Sequence, residues 1–241
     1  DEGGLSAGRL SLYCAAGFQP PVDAAAREFE DRYRVHIDIT YGGSGTLLSN
    51  IKIANSGDLY LPADESYSDQ ARAEGLAREV FPLATMTPVI GVARGNPHGI
   101  ATVADILGPN VRLGIANPEA AAIGRTVRAA LTDLGQWGSV SKNATVSKPT
   151  VMDLANDLKL GTIDAAFVWD STVQQFDELE SVHLRELEVC TKSVSVCVLE
   201  SSEQPTAALR FSRFLSSRNA GLIHFKEKGY SPAEGDRWEE K

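Results

Sequence analysis

A glycine-rich turn that carries one serine separates a strand pattern from a helix pattern near residue 44. Apolar and polar residues alternate through 35–41, and the chain then passes Gly42-Gly43-Ser44-Gly45-Thr46 into a run with helical periodicity. The first turn of a helix has amide N–H groups without partners and the positive end of the helix dipole, which together attract anions. The turn therefore predicts a site for a small oxyanion, with the Ser44 hydroxyl as a donor. Because serine and threonine also cap helices, a purely structural turn stays open here.

The spacing around Ser44 excludes several other sites that use glycine-rich turns. The segment lacks the third glycine of a dinucleotide fingerprint, and no Gly-Lys-Ser/Thr forms a P-loop. A hydrolase elbow needs glycines two residues before and two after the serine; Gly42 fits and Thr46 does not. The histidines show neither metal-ligand spacing nor a pairing with Ser44. They are His36, His98, His183 and His224. Binding without catalysis is favoured, and an enzyme of phosphate or sulfate esters is the less favoured alternative.

The composition is that of a globular protein with an acidic surface. The chain has 241 residues, which suffices for one large domain or two lobes, and its net charge of −9 argues against a nucleic-acid partner. An anion site built from backbone and hydroxyl donors carries no formal charge, so it is compatible with an acidic protein. No apolar run approaches the ~20 residues that span a bilayer. The first residues show no signal-peptide pattern, so the compartment is not readable from targeting.

The cysteines are too few for a disulfide scaffold. Cys14 lies in an apolar run and is expected in a core. Cys190 and Cys197 could pair across neighbouring strands in an oxidising compartment, but their spacing does not determine the geometry, so the disulfide stays undecided.

Strand and helix patterns alternate along most of the chain. Strands are predicted at about 10–16, 35–41, 58–61, 88–93, 111–116, 144–147, 164–169 and 193–199. Helices are predicted after Pro20-Pro21 and Ser44, and at about 66–74, 103–107, 122–134, 150–160, 205–216 and 219–228. Repeated β–α units predict mostly parallel sheets flanked by helices, in which ligands bind at the carboxyl ends of strands.

Several segments, in the same order along the chain, resemble the periplasmic molybdate-binding proteins of ABC transporters. They are 12–17, 41–47, 57–64, 116–124 and 161–169. The Ser-Gly-Thr-Leu block at 44–47, followed by Asp-Leu-Tyr at 58–60, is the more specific part of this pattern. The resemblance implies a type II periplasmic binding protein fold with a ligand cleft between two α/β lobes joined by a double crossover. Lobe 1 would contain 1–86 and 198–241, and lobe 2 would contain 87–197.

The same resemblance implies a set of ligand contacts. The matching positions are Gly17, Ser44, Gly45, Ile123, Leu154 and Trp169. Ser44 would donate its hydroxyl and its amide, whereas Gly17, Ile123 and Leu154 would donate backbone N–H groups. Trp169 stands where the family often has a tyrosine and Gly17 where many members have a serine, so two hydroxyl donors are lost. Some relatives complete the coordination of the metal with carboxylates, for which Glu119 and Asp170 are the nearest candidates.

The function implied is that of an extracytoplasmic solute-binding protein, located in the periplasm. It would capture molybdate, and also tungstate, and deliver the anion to the permease and ATPase of an ABC transporter. The protein is expected to act as a monomer without cofactor, catalysis or a metal ion beyond the oxyanion. A dianion taken from water needs about six to eight charge-assisted hydrogen bonds of roughly 1.5–3 kcal/mol each. Sulfate or phosphate is the alternative ligand.

Overall fold

The computed structural model describes residues 8–239, which form alternating strands and helices. The strands are β1 (Arg9–Ala15), β2 (His36–Gly42), β3 (Leu59–Leu61), β4 (Ala77–Met86), β5 (Pro88–Ala93), β6 (Leu113–Ala116), β7 (Ala144–Lys148), β8 (Ala165–Trp169), β9 (Leu179–Val182), β10 (Lys192–Leu199) and β11 (Ser231–Pro232). The helices are α1 (Gln19–Tyr33), α2 (Ser44–Ala54), α3 (Glu65–Ala73), α4 (Ala122–Asp133), α5 (Trp137–Asn143), α6 (Val151–Lys159), α7 (Asp170–Val173), α8 (Arg185–Glu188), α9 (Pro205–Leu215) and α10 (Gly221–Glu227).

The chain divides into two compact units. The first contains the chain up to Gly42, Leu47–Ala84 and the chain from Ser193 onward, and the second contains Gly43–Thr46 and Thr85–Lys192. The sequence placed the divisions after residues 86 and 197 and assigned the whole serine turn to lobe 1. Gly43–Thr46 belong to the second unit because their backbone packs against residues 119–120 and 149. The lobe arrangement itself stays a prediction.

The first unit contains a mixed sheet in the order β11-β4-β10-β3-β1-β2. Strand β1 is parallel to β2 and β3, whereas β10 is antiparallel to β3. The β1 side chains of Leu10, Leu12 and Cys14 are buried, which confirms the predicted core position of the cysteine. Burial raises the pKa of the Cys14 thiol well above its ordinary value. Cys190 and Cys197 are free thiols as well, so the undecided disulfide is not formed in this structure.

The second unit contains a sheet in the order β7-β6-β8-β5-β9. Strand β6 is parallel to β7 and β8, and β5 is antiparallel to β8 and β9. The register pairs Ala116 with Lys148, which places the carboxyl ends of β6 and β7 side by side. Because β8 runs in the same direction, Trp169 at its end lies at the same edge of the sheet.

Within residues 8–239, no helix combines the length and the apolar composition that crossing a bilayer would require.

Candidate functional site

The first turn of α4 is buried and has no side-chain cap. The helix follows Ala121, whose methyl group cannot accept a hydrogen bond, and its first turn contains no acidic residue. Ala121 and Ala122 are buried, and Ile123 is only 1% exposed. Ala122, Ile123 and Gly124 are the first three residues of the helix, whose amides have no acceptor within a regular α-helix. A buried helix start of this kind needs an acceptor from outside the helix, and an anion is suitable.

The loop that precedes α4 holds this helix start in place. The Asn117 side chain accepts a hydrogen bond from the Glu119 amide (2.9 Å), and its carbonyl accepts one from the Ala121 amide (2.9 Å). The Asn117 amide in turn donates to the Lys148 carbonyl at the end of β7 (2.8 Å). A Cβ atom on Gly124 would lie 2.5 Å from the Ala116 carbonyl oxygen. Only glycine therefore lets the helix approach the end of β6 so closely.

The serine turn packs against the loops that lead into α4 and α6. The Gly45 amide donates to the Ala120 carbonyl (2.9 Å), so this N–H already has a protein acceptor. A Cβ atom on Gly45 would lie 2.3 Å from the Glu119 carbonyl oxygen, and one on Gly43 would lie 2.6 Å from that of Pro149. Ser44, the first residue of α2, is 1% exposed. The structure thus brings the serine turn beside the start of α4, whereas the roles of Ser44 and Gly45 as ligands stay predictions.

The start of α6 differs from that of α4 because a side chain caps it. The Thr150 hydroxyl oxygen accepts a hydrogen bond from the Asp153 amide (3.1 Å) and donates to the Asp153 carboxylate (2.6 Å). The predicted contact Leu154 is the fourth residue of this helix, where a regular α-helix directs the N–H to the carbonyl of the cap residue. Val151, the first residue of α6, lies where amides have no acceptor within a helix. The role of Leu154 as a ligand stays a prediction, and Val151 is a further candidate donor because its amide has no acceptor within a regular helix.

The carboxyl end of β8 contains the predicted contact Trp169 and the candidate carboxylate Asp170. Trp169 is 1% exposed, and its indole provides one donor and no acceptor. The Asp170 carboxylate accepts hydrogen bonds from the amides of Thr87 (3.1 Å) and Ser171 (2.7 Å). Asp170 therefore binds backbone, in agreement with a structural role. A role of Trp169 as an indole donor stays a prediction.

The second candidate carboxylate lies at the surface. The Glu119 side chain is 77% exposed and forms an ion pair with Arg128 (2.5 Å). Across the described part of the chain, no group of three or more His, Cys, Asp or Glu side chains has an arrangement that could hold a metal ion. Glu119 and Asp170 thus have protein partners, and neither is part of such a group.

Gly17 lies in the first unit, in a short 3-10 turn (Ala16–Phe18) between β1 and α1. This turn is buried, and the Gly17 carbonyl accepts a hydrogen bond from the Tyr230 hydroxyl. The adjacent helix start contains Pro20 and Pro21, which have no N–H groups to donate. The α1 start therefore presents fewer donors than the α4 start does, and Gly17 as an anion contact stays a prediction.

The donors of the site are neutral. Lys148, at the end of β7, forms an ion pair with Asp157 (2.9 Å), so its charge is already balanced. In the first unit, burial raises the pKa of Tyr41, the strand residue just before the serine turn. Its hydroxyl donates to Asp23 (2.5 Å) and stays protonated at neutral pH. The arrangement of amides and hydroxyls suits a fully ionised anion that only accepts hydrogen bonds.

Comparison with known proteins identifies the family of the chain. Residues 10–231 match the family described as bacterial extracellular solute-binding protein. The chain is 24% identical over 225 residues to the molybdate-binding protein ModA of Mycobacterium tuberculosis, covering 92% of this chain and 84% of that protein.

Solved structures of two binding proteins share the fold. The Azotobacter vinelandii periplasmic molybdate-binding protein matches with a TM-score of 0.77 at 18% identity, over 93% of this chain and 100% of that one. The sulfate-binding protein SubI of Mycobacterium tuberculosis matches with a TM-score of 0.77 at 14% identity, over 94% and 88% of the two chains.

The family match covers most of the chain and agrees with the predicted fold. The predicted α/β fold of a periplasmic binding protein is confirmed, as is the resemblance to ModA-like proteins. Proteins of this family bind solutes outside the cytoplasm for ABC transporters and are in general not enzymes. The chain belongs to the bacterial extracellular solute-binding proteins.

Proposed function

We propose that this protein captures a tetrahedral oxyanion, molybdate or tungstate, through neutral hydrogen-bond donors. The observation that carries the proposal is the buried start of α4, which has no side-chain cap and no acid in its first turn. The serine turn packs against the same loop, so the hydroxyl and amide of Ser44 become the next donors. Ile123 and Val151 would donate backbone N–H groups, and the Trp169 indole would add one more.

The chemistry of the donors favours a dianion without protons. Amide and hydroxyl groups stabilise an anion that accepts hydrogen bonds on every oxygen. A protonated phosphate would need an acceptor as well, which the proposed backbone N–H groups and the indole N–H cannot provide. A phosphate O–H left without a partner is costly, so phosphate is disfavoured. Sulfate shares the charge and shape of molybdate and is the second candidate, supported by the fold shared with SubI.

We further propose a role in transport without catalysis. A solute-binding protein of this kind would act as a monomer and deliver the anion to the permease and ATPase of an ABC transporter. The ligand itself would be the only inorganic group that the protein needs. The alternative of an enzyme acting on phosphate or sulfate esters would require a nucleophile or a base beside the α4 start.

A calorimetric titration of the ligand-stripped protein with molybdate, tungstate, sulfate and phosphate in turn tests this proposal. We expect molybdate and tungstate to bind with a Kd of roughly 1 μM or lower, corresponding to about −8 kcal/mol, while sulfate and phosphate give no heat. Tight binding of sulfate would keep the class of ligand and replace molybdate. Heat from none of the four anions would overturn the oxyanion assignment.

A further inference from the structure

The hydroxyl group of Ser171 is buried and has no hydrogen-bond partner within residues 8–239. Ser171 is 1% exposed, and its Oγ atom is fully shielded. A serine in a helix usually directs its hydroxyl to a carbonyl one turn earlier or to solvent, and neither occurs here. A buried polar group without a partner is uncommon in folded proteins and points to a ligand or to an ordered water.

The position of Ser171 in the second unit favours the ligand. The residue lies two positions after Trp169, at the sheet edge where the carboxyl ends of β6, β7 and β8 lie. The uncapped start of α4 follows β6 at that same edge.

Hydrogen bonds of the backbone hold Ser171 in place. Its amide donates to the Asp170 carboxylate (2.7 Å), and its carbonyl accepts from the Gln175 side chain (3.2 Å). Asp170 is itself bound to Thr87 through its amide (2.9 Å) and through its carboxylate (3.1 Å). The backbone groups of Ser171 are thus committed to protein partners, whereas the hydroxyl has none in the described part of the chain.

We propose that the Ser171 hydroxyl is an additional donor to the bound oxyanion, an inference that rests on the proposed function. The hydroxyl is a neutral donor, like the amides of α4, and it adds no charge to the site. Its anchored backbone keeps it in position before the anion arrives, so little conformational freedom is lost on binding. The ligand thereby satisfies a protein group that folding alone leaves without a partner.

Titration of Ser171→Ala with sodium molybdate tests the assignment against a matched control. Ser212→Ala removes another shielded hydroxyl that has no partner among the described residues, from a residue that is 0% exposed in α9 of the first unit. We expect Ser171→Ala to raise the Kd for molybdate about tenfold, as the loss of a hydrogen bond to a charged group does, and Ser212→Ala to leave the Kd unchanged. The rise in Tm on adding molybdate should also be smaller for Ser171→Ala alone.

The outcomes separate this assignment from the proposed function. If the unmodified protein binds molybdate and Ser171→Ala binds it equally well, the hydroxyl serves a water or nothing, and the assignment is wrong while the function stands. If the unmodified protein binds none of the four oxyanions, the function and the assignment both fail. Equal losses in Ser171→Ala and Ser212→Ala would indicate a general effect of removing buried hydroxyls and would also overturn the assignment.

Discussion

Helices α4 and α6 begin at the same edge of one sheet, yet their first turns are built in opposite ways. Ala121 precedes α4 and provides no acceptor, and the first turn contains no acid. Thr150 precedes α6 and caps the Asp153 amide, while the Asp153 carboxylate adds a negative charge to the first turn. The first turn of α4 has no side-chain acceptor for its buried amides, whereas the Thr150 side chain satisfies one amide of α6. In the proposed function, the missing cap marks the helix start that binds the anion.

The difference has an energetic consequence. A cap such as Thr150 typically contributes about 1 kcal/mol to stability, and α4 lacks this contribution because it has no side-chain cap. An acid in the first turn also weakens the positive potential of a helix start, and α6 has such an acid in Asp153. If α4 binds the anion as we propose, its start combines binding with a cost in stability, whereas the start of α6 mainly adds stability. The predictions below test this contrast.

The largest effect is expected from Gly45→Ala, which separates the serine turn from α4. The added Cβ would meet the Glu119 carbonyl oxygen at 2.3 Å, so the backbone of the turn must move. We expect molybdate affinity to fall about a hundredfold, equivalent to ~3 kcal/mol, in a calorimetric titration. Gly138→Ala is the matched control, because a Cβ there meets nothing within 4 Å. Unchanged affinity in Gly45→Ala would show that binding does not depend on the packing of this turn.

Ser44→Ala is expected to weaken molybdate binding at least tenfold with little change in Tm. The variant removes one hydroxyl that we propose as a charge-assisted donor, worth about 1.5–3 kcal/mol. Ser141→Ala, at an exposed position of α5, should change neither quantity. Full affinity in Ser44→Ala would contradict the assignment of the serine turn as an anion cradle.

Ala121→Ser would give α4 the kind of cap that α6 has. The new hydroxyl should accept a hydrogen bond from a first-turn amide, raising the free energy of unfolding by about 1 kcal/mol while competing with the anion. We expect molybdate affinity to fall about fivefold, or ~1 kcal/mol, with Ala121→Gly as the control without an acceptor. A variant that is more stable and binds equally well would refute the idea that the missing cap serves binding.

Low pH should destabilise the second unit by weakening an ion pair at the amino ends of β6 and β8, the sheet edge opposite to the candidate site. Arg112, just before β6, donates to the Asp164 carboxylate just before β8 and lowers its pKa from 3.8 to about 2. A lowered pKa means that this stabilisation is complete above about pH 4 and is lost as the pH falls towards 2. With Arg112 half exposed, we expect a loss of ~1–2 kcal/mol. Denaturant unfolding measured between about pH 4 and about pH 2 should show this loss of unfolding free energy. Asp164→Asn should abolish this part of the pH dependence.

Thr150→Ala should have the smallest effect on binding. Removing the cap of α6 is expected to lower the free energy of unfolding by about 1 kcal/mol, as measured in denaturant. Molybdate affinity should change less than twofold, since the Thr150 hydroxyl is committed to Asp153. A large loss of affinity would show that α6 contributes to the site as strongly as α4 does, and would remove the contrast.

Much of the element order follows from local patterns, because periodicity and breaking residues act over short distances. Pro20-Pro21 begin α1, Thr150 caps α6, and strand β5 has the predicted bounds of 88–93. Strand β4 was not predicted, because Pro82 and several exposed residues interrupt its alternation. The short helix α7 and the two-residue strand β11 were not predicted either, because elements of so few residues show no recognisable helix or strand periodicity.

The sequence by itself determined the α/β class and the solute-binding family, and it proposed the segments of the candidate site. These properties depend on residue types and on order along the chain. The tertiary structure decided which donors are already used: Gly45 is bound to Ala120, Leu154 lies one turn inside α6, and the buried hydroxyl of Ser171 has no partner among residues 8–239. The physical reason is that hydrogen-bond satisfaction depends on which backbone groups meet in space. Residues 45 and 120, distant in sequence, meet only after the chain has folded.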